Sequence, residues 1–326
     1  MHVRIVTPAK PGSLSGNRAT AERWAGLLRQ NGHTAQVVAS DDPTAGEAGA
    51  DALIALHAWR SAEAIRTWRT RFADRPLVVA MTGTDIYKFQ HSAPETTVAS
   101  MDAADALIGL HAAVGEDLPA RHRAKLHVVY QSTRPVPASY RRPAPPPREI
   151  RVCVVGHLRA EKDPLRTAYA LRRLPADLRL SVRHAGRAHD DTWAEAARAE
   201  MARNPRYRWL GELAHGRVRQ LMARTHAMAI TSVMEGGANV VSEACAFGLP
   251  VLASDIPGNR GLLGGDHPAL YPAEDTAALA ALMDRLVRDP AFRAELGRRS
   301  TGLAPLFQPE SERTRLAAAL DWAAGR

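Results

Sequence analysis

Short apolar runs alternate with stretches of helical periodicity from one end of this chain to the other, and that alternation admits few folds. Residues 2–7, 35–39, 52–56, 77–81, 106–109 and 126–129 read as strands, with helices over 18–31, 62–71 and 95–101. A second series follows, with strands at 151–155, 178–182, 207–210, 228–230 and 251–253 and helices at 277–288, 291–301 and 312–324. Such α/β alternation predicts open parallel sheets with helices on both faces, and ligands beyond the carboxyl ends of the strands. Between the two series the run from Pro135 to Pro147 is a stiff connection with little prospect of regular hydrogen bonding. The expected division is therefore a Rossmann-like domain over 1–135, a proline-rich linker over 136–149, a second Rossmann-like domain over 150–310, and a last helical segment, 311–326, that can return to the first domain. The two sheets are expected to face a crevice between the domains.

A chain of 326 residues with 45% hydrophobic and 24% charged residues can bury two such cores. Its formal charge of +9 raises nucleic acid as a partner. The arginines, however, are spread through every expected helix, and no strand interleaves aromatic with basic residues, so a positive cleft for phosphorylated substrates is the simpler use. No apolar run reaches 18 residues and the amino terminus lacks a signal peptide's apolar core, so neither a membrane partner nor export is expected. Cys153 and Cys245 fall in an expected strand and helix without metal-ligand spacing, which suits reduced core thiols in a cytoplasmic protein.

The densest chemistry lies in residues 230–254, ITSVMEGGANVVSEACAFGLPVLAS. A strand ends in a loop carrying Glu235, Gly236 and Gly237, and a helix over 239–247 follows, with Asn239 as its expected cap and Gly248 closing it. Val240, Val241, Ala244 and Cys245 supply the apolar face. Backbone N–H groups from Gly237 through Ala238 and Asn239 to Val241 would stand free at the sheet's carboxyl end, where a diphosphate or its sugar can accept hydrogen bonds. Carboxylates repel phosphate but accept from hydroxyls, so Glu235 and Glu243 at one mouth point to a sugar nucleotide. An isolated glutamate there would more often be a solvated acid.

Other loops at expected strand ends add candidates. Gly16, Asn17 and Arg18 begin the first helix, where backbone and helix amides favour an anion; the bland alternative is a turn before a surface helix. Neither a GxGxxG nor a GxxxxGK motif is present, which weakens dinucleotide and P-loop readings. His57 and His111 stand on the rim, where a lone histidine is usually structural. Thr82, Gly83, Thr84 and Asp85 offer two hydroxyls, amides and a carboxylate within four residues, and Lys88 is close enough to meet an anionic acceptor. The second half opens with VVGHLRAEKDP, residues 154–164, in which Gly156 leaves room at the strand end and Arg159 and Lys162 can carry charge to a diphosphate, although such a cluster is as readily solvated surface.

The stretch EGGANVVSEACAFGLPVLAS resembles the donor-binding signature of retaining glycosyltransferases with two Rossmann-like domains, the GT-B architecture of glycosyltransferase family 4. With SGNRATAERW, TGTDIY, GHLRAEKDP and EGGANVVSEA, the chain further resembles a divergent branch, the bacterial selenosugar synthases of selenoneine biosynthesis. That resemblance implies metal-independent transfer, with retained stereochemistry, from a UDP-sugar cosubstrate, most naturally UDP-N-acetylglucosamine, to selenophosphate, with functional partners in the same biosynthesis. It implies no further cofactor. It places Lys162, with Arg159, at the departing diphosphate, Glu235 at the sugar, Glu243 at the ribose, and Gly16, Gly156 and Gly186 in close backbone approach. Residues 209–213 would lie near the base. Where the family usually carries an arginine after the first-loop glycine, this chain has His157, which puts that diphosphate contact in doubt. The acceptor would meet Gly16, Asn17, Arg18, Thr82, Thr84, Asp85 and Lys88, with His57 and Asp85 as candidates for assisting loss of phosphate. An oxygen or thiol acceptor, a sugar-nucleotide epimerase and a non-enzymatic nucleotide-binding module remain open at this point.

Overall fold

Successive residues of the central strands enter different cores, as expected for sheets covered on both faces. Val3 and Ile5 pack with Ala52, Ile54 and Leu56, whereas Val6 packs with Leu53 and Ala55 on the other side. The computed structural model describes residues 1–13, 15–46, 49–140 and 149–325. In chain order the elements are β1 (His2–Thr7), α1 (Gly16–Gln30), β2 (Thr34–Ala39), β3 (Ala52–Leu56), α2 (Ala62–Arg71), β4 (Leu77–Ala80), α3 (Gln90–Ser92), α4 (Pro94–Ala103), β5 (Ala106–Gly109) and β6 (Leu126–Val128). They continue with β7 (Ile150–Val155), α5 (Arg166–Arg172), β8 (Leu180–Ala185), α6 (Asp191–Arg203), β9 (Tyr207–Trp209), α7 (His215–Arg224) and β10 (Ala227–Ile230). The last are α8 (Asn239–Ala246), β11 (Val251–Ser254), α9 (Pro257–Leu263), β12 (Leu270–Tyr271), α10 (Thr276–Arg288), α11 (Pro290–Leu303) and α12 (Pro309–Ala324).

Among the described residues these strands form two six-stranded parallel sheets, ordered β2-β1-β3-β4-β5-β6 and β12-β11-β10-β7-β8-β9. The chain divides into two compact units, residues 1–132 with 308–326 and residues 133–307. Most of the linker expected at 136–149 lies outside the described residues, since 141–148 are not among them. In each sheet the strand order reverses once, between β1 and β3 in the first and between β7 and β10 in the second. Loops leaving the two strands at such a reversal diverge to opposite faces and open a crevice at the carboxyl edge. In the second sheet those loops carry Gly156 to Lys162 and Glu235 to Glu243.

The first unit is completed by the last helix. Leu316, Ala319, Leu320 and Ala323 of α12 share one face and pack with Trp24, Leu27 and Leu28 of α1. Glu312, fully buried, accepts from Arg23 Nε (2.8 Å), Trp24 Nε1 (2.7 Å), Ser132 N (2.9 Å) and Ser132 Oγ (2.5 Å).

Several local expectations are corrected. Strand β8 runs over Leu180–Ala185 rather than 178–182, because the Leu178 N–H turns back onto Pro175 O and pairing with β7 continues through Arg183 and His184. The cap of α1 is Ser15, whose Oγ accepts from Arg18 N, and this draws Gly16 and Asn17 into the first turn. Asn239 is not the cap of α8. Ala238 holds that position, its carbonyl accepts from Val241 N at 2.9 Å, and Asn239 Oδ1 is buried without a partner among the described residues. Gly248 does terminate α8, at φ +61°, a left-handed conformation suited to glycine.

Candidate functional site

At the carboxyl edge of the second sheet, Lys162 Nζ lies 2.5 Å from Glu235 Oε1, and Ser232 Oγ donates to the same oxygen at 2.5 Å. The other oxygen, Oε2, accepts no hydrogen bond among the described residues. Both side chains are held by backbone packing beneath them. Thr231 Oγ1 donates to the carbonyls of Lys162 and Asp163, each at 2.9 Å, and Val233 N donates to Glu161 O at 3.0 Å, so the loop after β7 is tied to the end of β10. Asp163 takes a left-handed φ of +41°, which costs a non-glycine residue about 1–2 kcal/mol, and its carboxylate accepts from Arg166 Nε at 2.7 Å. On the far side of Glu235, a Cβ at Gly258 would come within 2.1 Å of the Glu235 carbonyl, so α9 packs directly against this backbone. Beneath Ser232 runs a buried chain in which Ser254 Oγ donates to Ser232 O and Asn259 Nδ2 donates to Ser254 O.

The glycine loop then delivers α8. Gly237 has φ +139°, a conformation side chains rarely adopt, and the first N–H groups of the helix, at Asn239 and Val240, have no intrahelical acceptor. Buried Gly236 and half-buried Gly237 lie between Glu235 and this helix start. Glu243, one turn further, receives His215 Nε2 on Oε1 at 2.7 Å.

Gly186, not Gly156, is where two backbones meet. A Cβ at Gly186 would sit 1.8 Å from Gly156 O, whereas one at Gly156 would only touch the Lys162 stem at 3.9 Å. Gly156 O also accepts from His184 Nε2 at 3.0 Å, while His184 Nδ1 meets the Tyr207 hydroxyl at 3.0 Å. Burial pushes the His184 imidazole down to about 4, so it is neutral and fixes the loop by hydrogen bonding alone. His157 supplies no substitute for an arginine: burial lowers its imidazole, and its Nδ1 accepts from Arg187 N at 3.2 Å. Arg159 lies 3.8 Å from Glu161 and is half-exposed, away from the Lys162–Glu235 pair's hydrogen bonds. Trp209 Nε1 donates to Gly186 O at 2.7 Å, placing that indole in the same edge.

The first unit arranges its candidates differently. His57, at φ +75°, follows β3, and its Nδ1 is 2.7 Å from Asp85 Oδ1 while its Nε2 is 3.0 Å from Thr84 Oγ1. Arg60 N donates to the same Nδ1 at 3.2 Å. Asp85 further accepts from Ala58 N, Trp59 N, Thr82 N and Thr82 Oγ1 at 2.9–3.1 Å. The carboxylate expected at the mouth of the Thr82–Asp85 turn is thus fully buried and occupied in stitching two loops together. A turn of π-helix, Asp85–Phe89, starts there, and the Phe89 ring stacks at 4.2 Å on the exposed Trp59 ring, with Lys88 Nζ 5.5 Å from the Phe89 centroid. His111 is buried, pushed down to about 4, with Nε2 3.3 Å from the Tyr87 hydroxyl. Arg18 pairs with Glu22 at 2.6 Å, its Nη1 buried without a partner among the described residues, and Gly16 is exposed at the helix start.

Sequence reasoning does not single out Ser232, His215 or Trp59. Ser232 carries a weak signal in standing three residues before Glu235, and His215 one in opening a helix after a short strand. Among the described residues no group of three or more His, Cys, Asp or Glu is placed to hold a metal, and no helix is long and apolar enough to cross a membrane.

Among solved structures, the chain is similar to HepE of Anabaena in complex with UDP and glucose, with a TM-score of 0.76 and 18% identity over 98% of this chain and 99% of that one. It is similar to sucrose-phosphate synthase of Thermosynechococcus elongatus, with 0.79 and 16% over 97% of each chain, and to a glycosyltransferase of Rickettsia africae, with 0.74 and 13% over 98% of each. At these identities the likeness speaks for the fold, the GT-B arrangement of two parallel α/β sheets. No curated protein matches the chain. The family model for glycosyl transferases group 1 matches residues 138–302, half of the chain and nearly all of the unit that carries Lys162, Glu235 and Glu243, and this protein therefore belongs to that family of glycosyltransferases.

Proposed function

We propose that this glycosyltransferase uses a UDP-sugar, UDP-N-acetylglucosamine by preference, and transfers the sugar to selenophosphate. The observation that carries the donor half is the Lys162–Glu235 pair at the strand-order reversal, where an ammonium, an uncommitted carboxylate oxygen and the start of α8 stand together. In this reading the diphosphate takes the α8 amides and Lys162, Glu235 Oε2 accepts from a sugar hydroxyl, and Glu243 Oε2 accepts from the ribose. Lys162 then gains interaction as negative charge develops on the departing UDP. Solved complexes of Anabaena HepE with UDP-glucose support a uridine nucleotide as the carrier. The acceptor half rests on the sequence resemblance. Selenium of selenophosphate forms the bond to the anomeric carbon as the bond to UDP breaks; water then cleaves the phosphorus–selenium bond, releasing phosphate and a selenol sugar. Transfer retains the donor-carbon configuration and needs no metal. Family membership sets aside the epimerase and the non-enzymatic module.

A hydroxyl or thiol acceptor is the second reading, favoured by the exposed Trp59 ring on Phe89, an apolar shelf that a small anion would not use. One experiment separates the two. Purified protein is incubated with UDP-N-acetylglucosamine and selenophosphate, with thiophosphate and acceptor-free mixtures alongside, and products are read by mass. UDP release coupled to a selenium-bearing sugar is the expected result. Turnover only with an unrelated hydroxyl or thiol acceptor would overturn the selenophosphate assignment and leave the donor half standing.

A further inference from the structure

We propose that His215 is a positioning residue that selects which oxygen of Glu243 faces the nucleotide, and so sets the protein's preference for a ribose over a deoxyribose; this rests on the donor reading above. Parallel topology brings the two residues together. Helix α7 follows β9 and helix α8 follows β10, so both helices begin at the carboxyl edge of the same sheet, and His215 is the first residue of α7. Its Nε2 lies 2.7 Å from Glu243 Oε1. A carboxylate oxygen only accepts, so Nε2 carries the hydrogen, and the imidazole holds Oε1 in place. The two partners differ in exposure: the Glu243 side chain is 11% exposed and that of His215 is 55% exposed. The acid therefore sits inside the edge with one oxygen engaged, while the ring caps it from the solvent side. Oε2 of Glu243 accepts no hydrogen bond among the described residues. A glutamate with one oxygen tethered presents the other in a single orientation, whereas an untethered one spends part of its time turned away. Paired vicinal hydroxyls need the first arrangement, because both of their hydrogens must reach the same oxygen or its immediate neighbour.

The half-exposed position of His215 also explains why this is not ordinary packing. The ring lies on the exposed side of α7, whose inner face buries Val218, Arg219 and Met222 without it. Removing the imidazole should therefore leave the fold intact and loosen one carboxylate.

The test is a double-mutant cycle read by calorimetry on the full-length protein, using UDP and 2′-deoxy-UDP as probes, with thermal unfolding as the control for folding. Glu243→Gln should weaken UDP binding about tenfold or more, the effect of a lost hydrogen bond to a charged group, and bring UDP and the deoxy compound to similar affinity. His215→Ala should weaken UDP about three- to tenfold and deoxy-UDP less. In the Glu243→Gln background it should change neither affinity by as much as twofold, because its effect passes through the carboxylate. His215→Gln, which keeps an N–H donor, should recover part of the loss. If His215→Ala weakens UDP by the same factor with and without the Glu243 carboxylate, or weakens both nucleotides equally, the positioning role is overturned while the ribose contact stands. If Glu243→Gln leaves UDP affinity unchanged, the ribose contact fails and the role of His215 fails with it.

Discussion

In the first unit the acid at the sheet's carboxyl edge is Asp85, and donors close around it: the amides of Ala58, Trp59 and Thr82, and the Thr82 hydroxyl, with the His57 ring 2.7 Å away. In the second unit the acid is Glu235, and its donors, Lys162 and Ser232, share one oxygen and leave the other open. Both acids follow strands of parallel sheets and both are buried. What separates them is where their donors come from. Backbone amides cannot leave, so Asp85 is consumed by the loops it joins and supports the edge. The donors of Glu235 are a flexible ammonium and a hydroxyl, groups that can turn toward a ligand, so that acid remains available to one. What leaves Glu235 available is the second oxygen that neither donor occupies.

Breaking the first arrangement should show in stability. Asp85→Ala leaves several buried N–H donors and the Thr82 hydroxyl without an acceptor, and should destabilise the protein by about 3–5 kcal/mol in denaturant unfolding. A loss under about 1 kcal/mol would mean that the loops do not depend on this carboxylate. Breaking the second should show in rate. Lys162→Ala should lower turnover roughly 10- to 1000-fold, about 1.4–4 kcal/mol of transition-state stabilisation, with a far smaller change in unfolding. Unchanged turnover in a folded variant would remove Lys162 from the diphosphate.

The third test sharpens the contrast through a base in the second edge that does resemble Asp85. His184 is fully buried and pushed from its ordinary 6.5 down to about 4. Because the folded value is depressed, the unfolded chain takes up a proton between about pH 6.5 and 4 that the native chain refuses. Stability from this group is complete above that window and falls as pH falls through it, by up to about 3 kcal/mol. His111 and His267 are pushed to about 4 by the same burial, so His184→Gln should flatten the acid limb without abolishing it. An unchanged slope would mean that the native His184 titrates normally. The smallest effect belongs to Gly186→Ala, whose methyl group would overlap Gly156 O; about 1–3 kcal/mol of lost stability is expected, together with weaker UDP binding by calorimetry because the Gly156 loop must move. Full affinity for UDP would separate this loop from the donor.

Much of the scaffold is legible because parallel strands buried on both faces are continuous apolar runs: 52–56 and 106–109 match their strands in full. Strand β8 lies beyond its expected place because Arg183 and His184 look like a strand's end, and only the pairing of His184 with Tyr207 and Gly156 O shows why a polar residue continues it. At the site, spacing singled out Glu235, Glu243 and Lys162, because chain order alone puts them after strands. It could not tell that Asp85 faces inward, since that depends on amides from a loop 26 and 27 residues away in sequence. His215 is hidden for the same reason, its partner Glu243 lying 28 residues away, whereas Ser232 stands three residues before Glu235 and shows only as a common small residue in a loop.

The burial of Glu312 has a consequence for the order in which this protein is made. The carboxylate that receives Arg23, Trp24 and Ser132, and the apolar face that covers α1, emerge only after every residue of 133–307 has been translated. At about 5–20 residues per second, the segment that completes the first unit arrives roughly ten to thirty seconds after the rest of that unit. During that interval the second unit can close on its own residues while the amino-terminal sheet waits with part of one face bare, covered by α1 but not by α12. The part of the chain synthesised first is then among the last to be finished, and a nascent chain halted before α12 would carry an exposed Trp24 surface for chaperones and proteases to find.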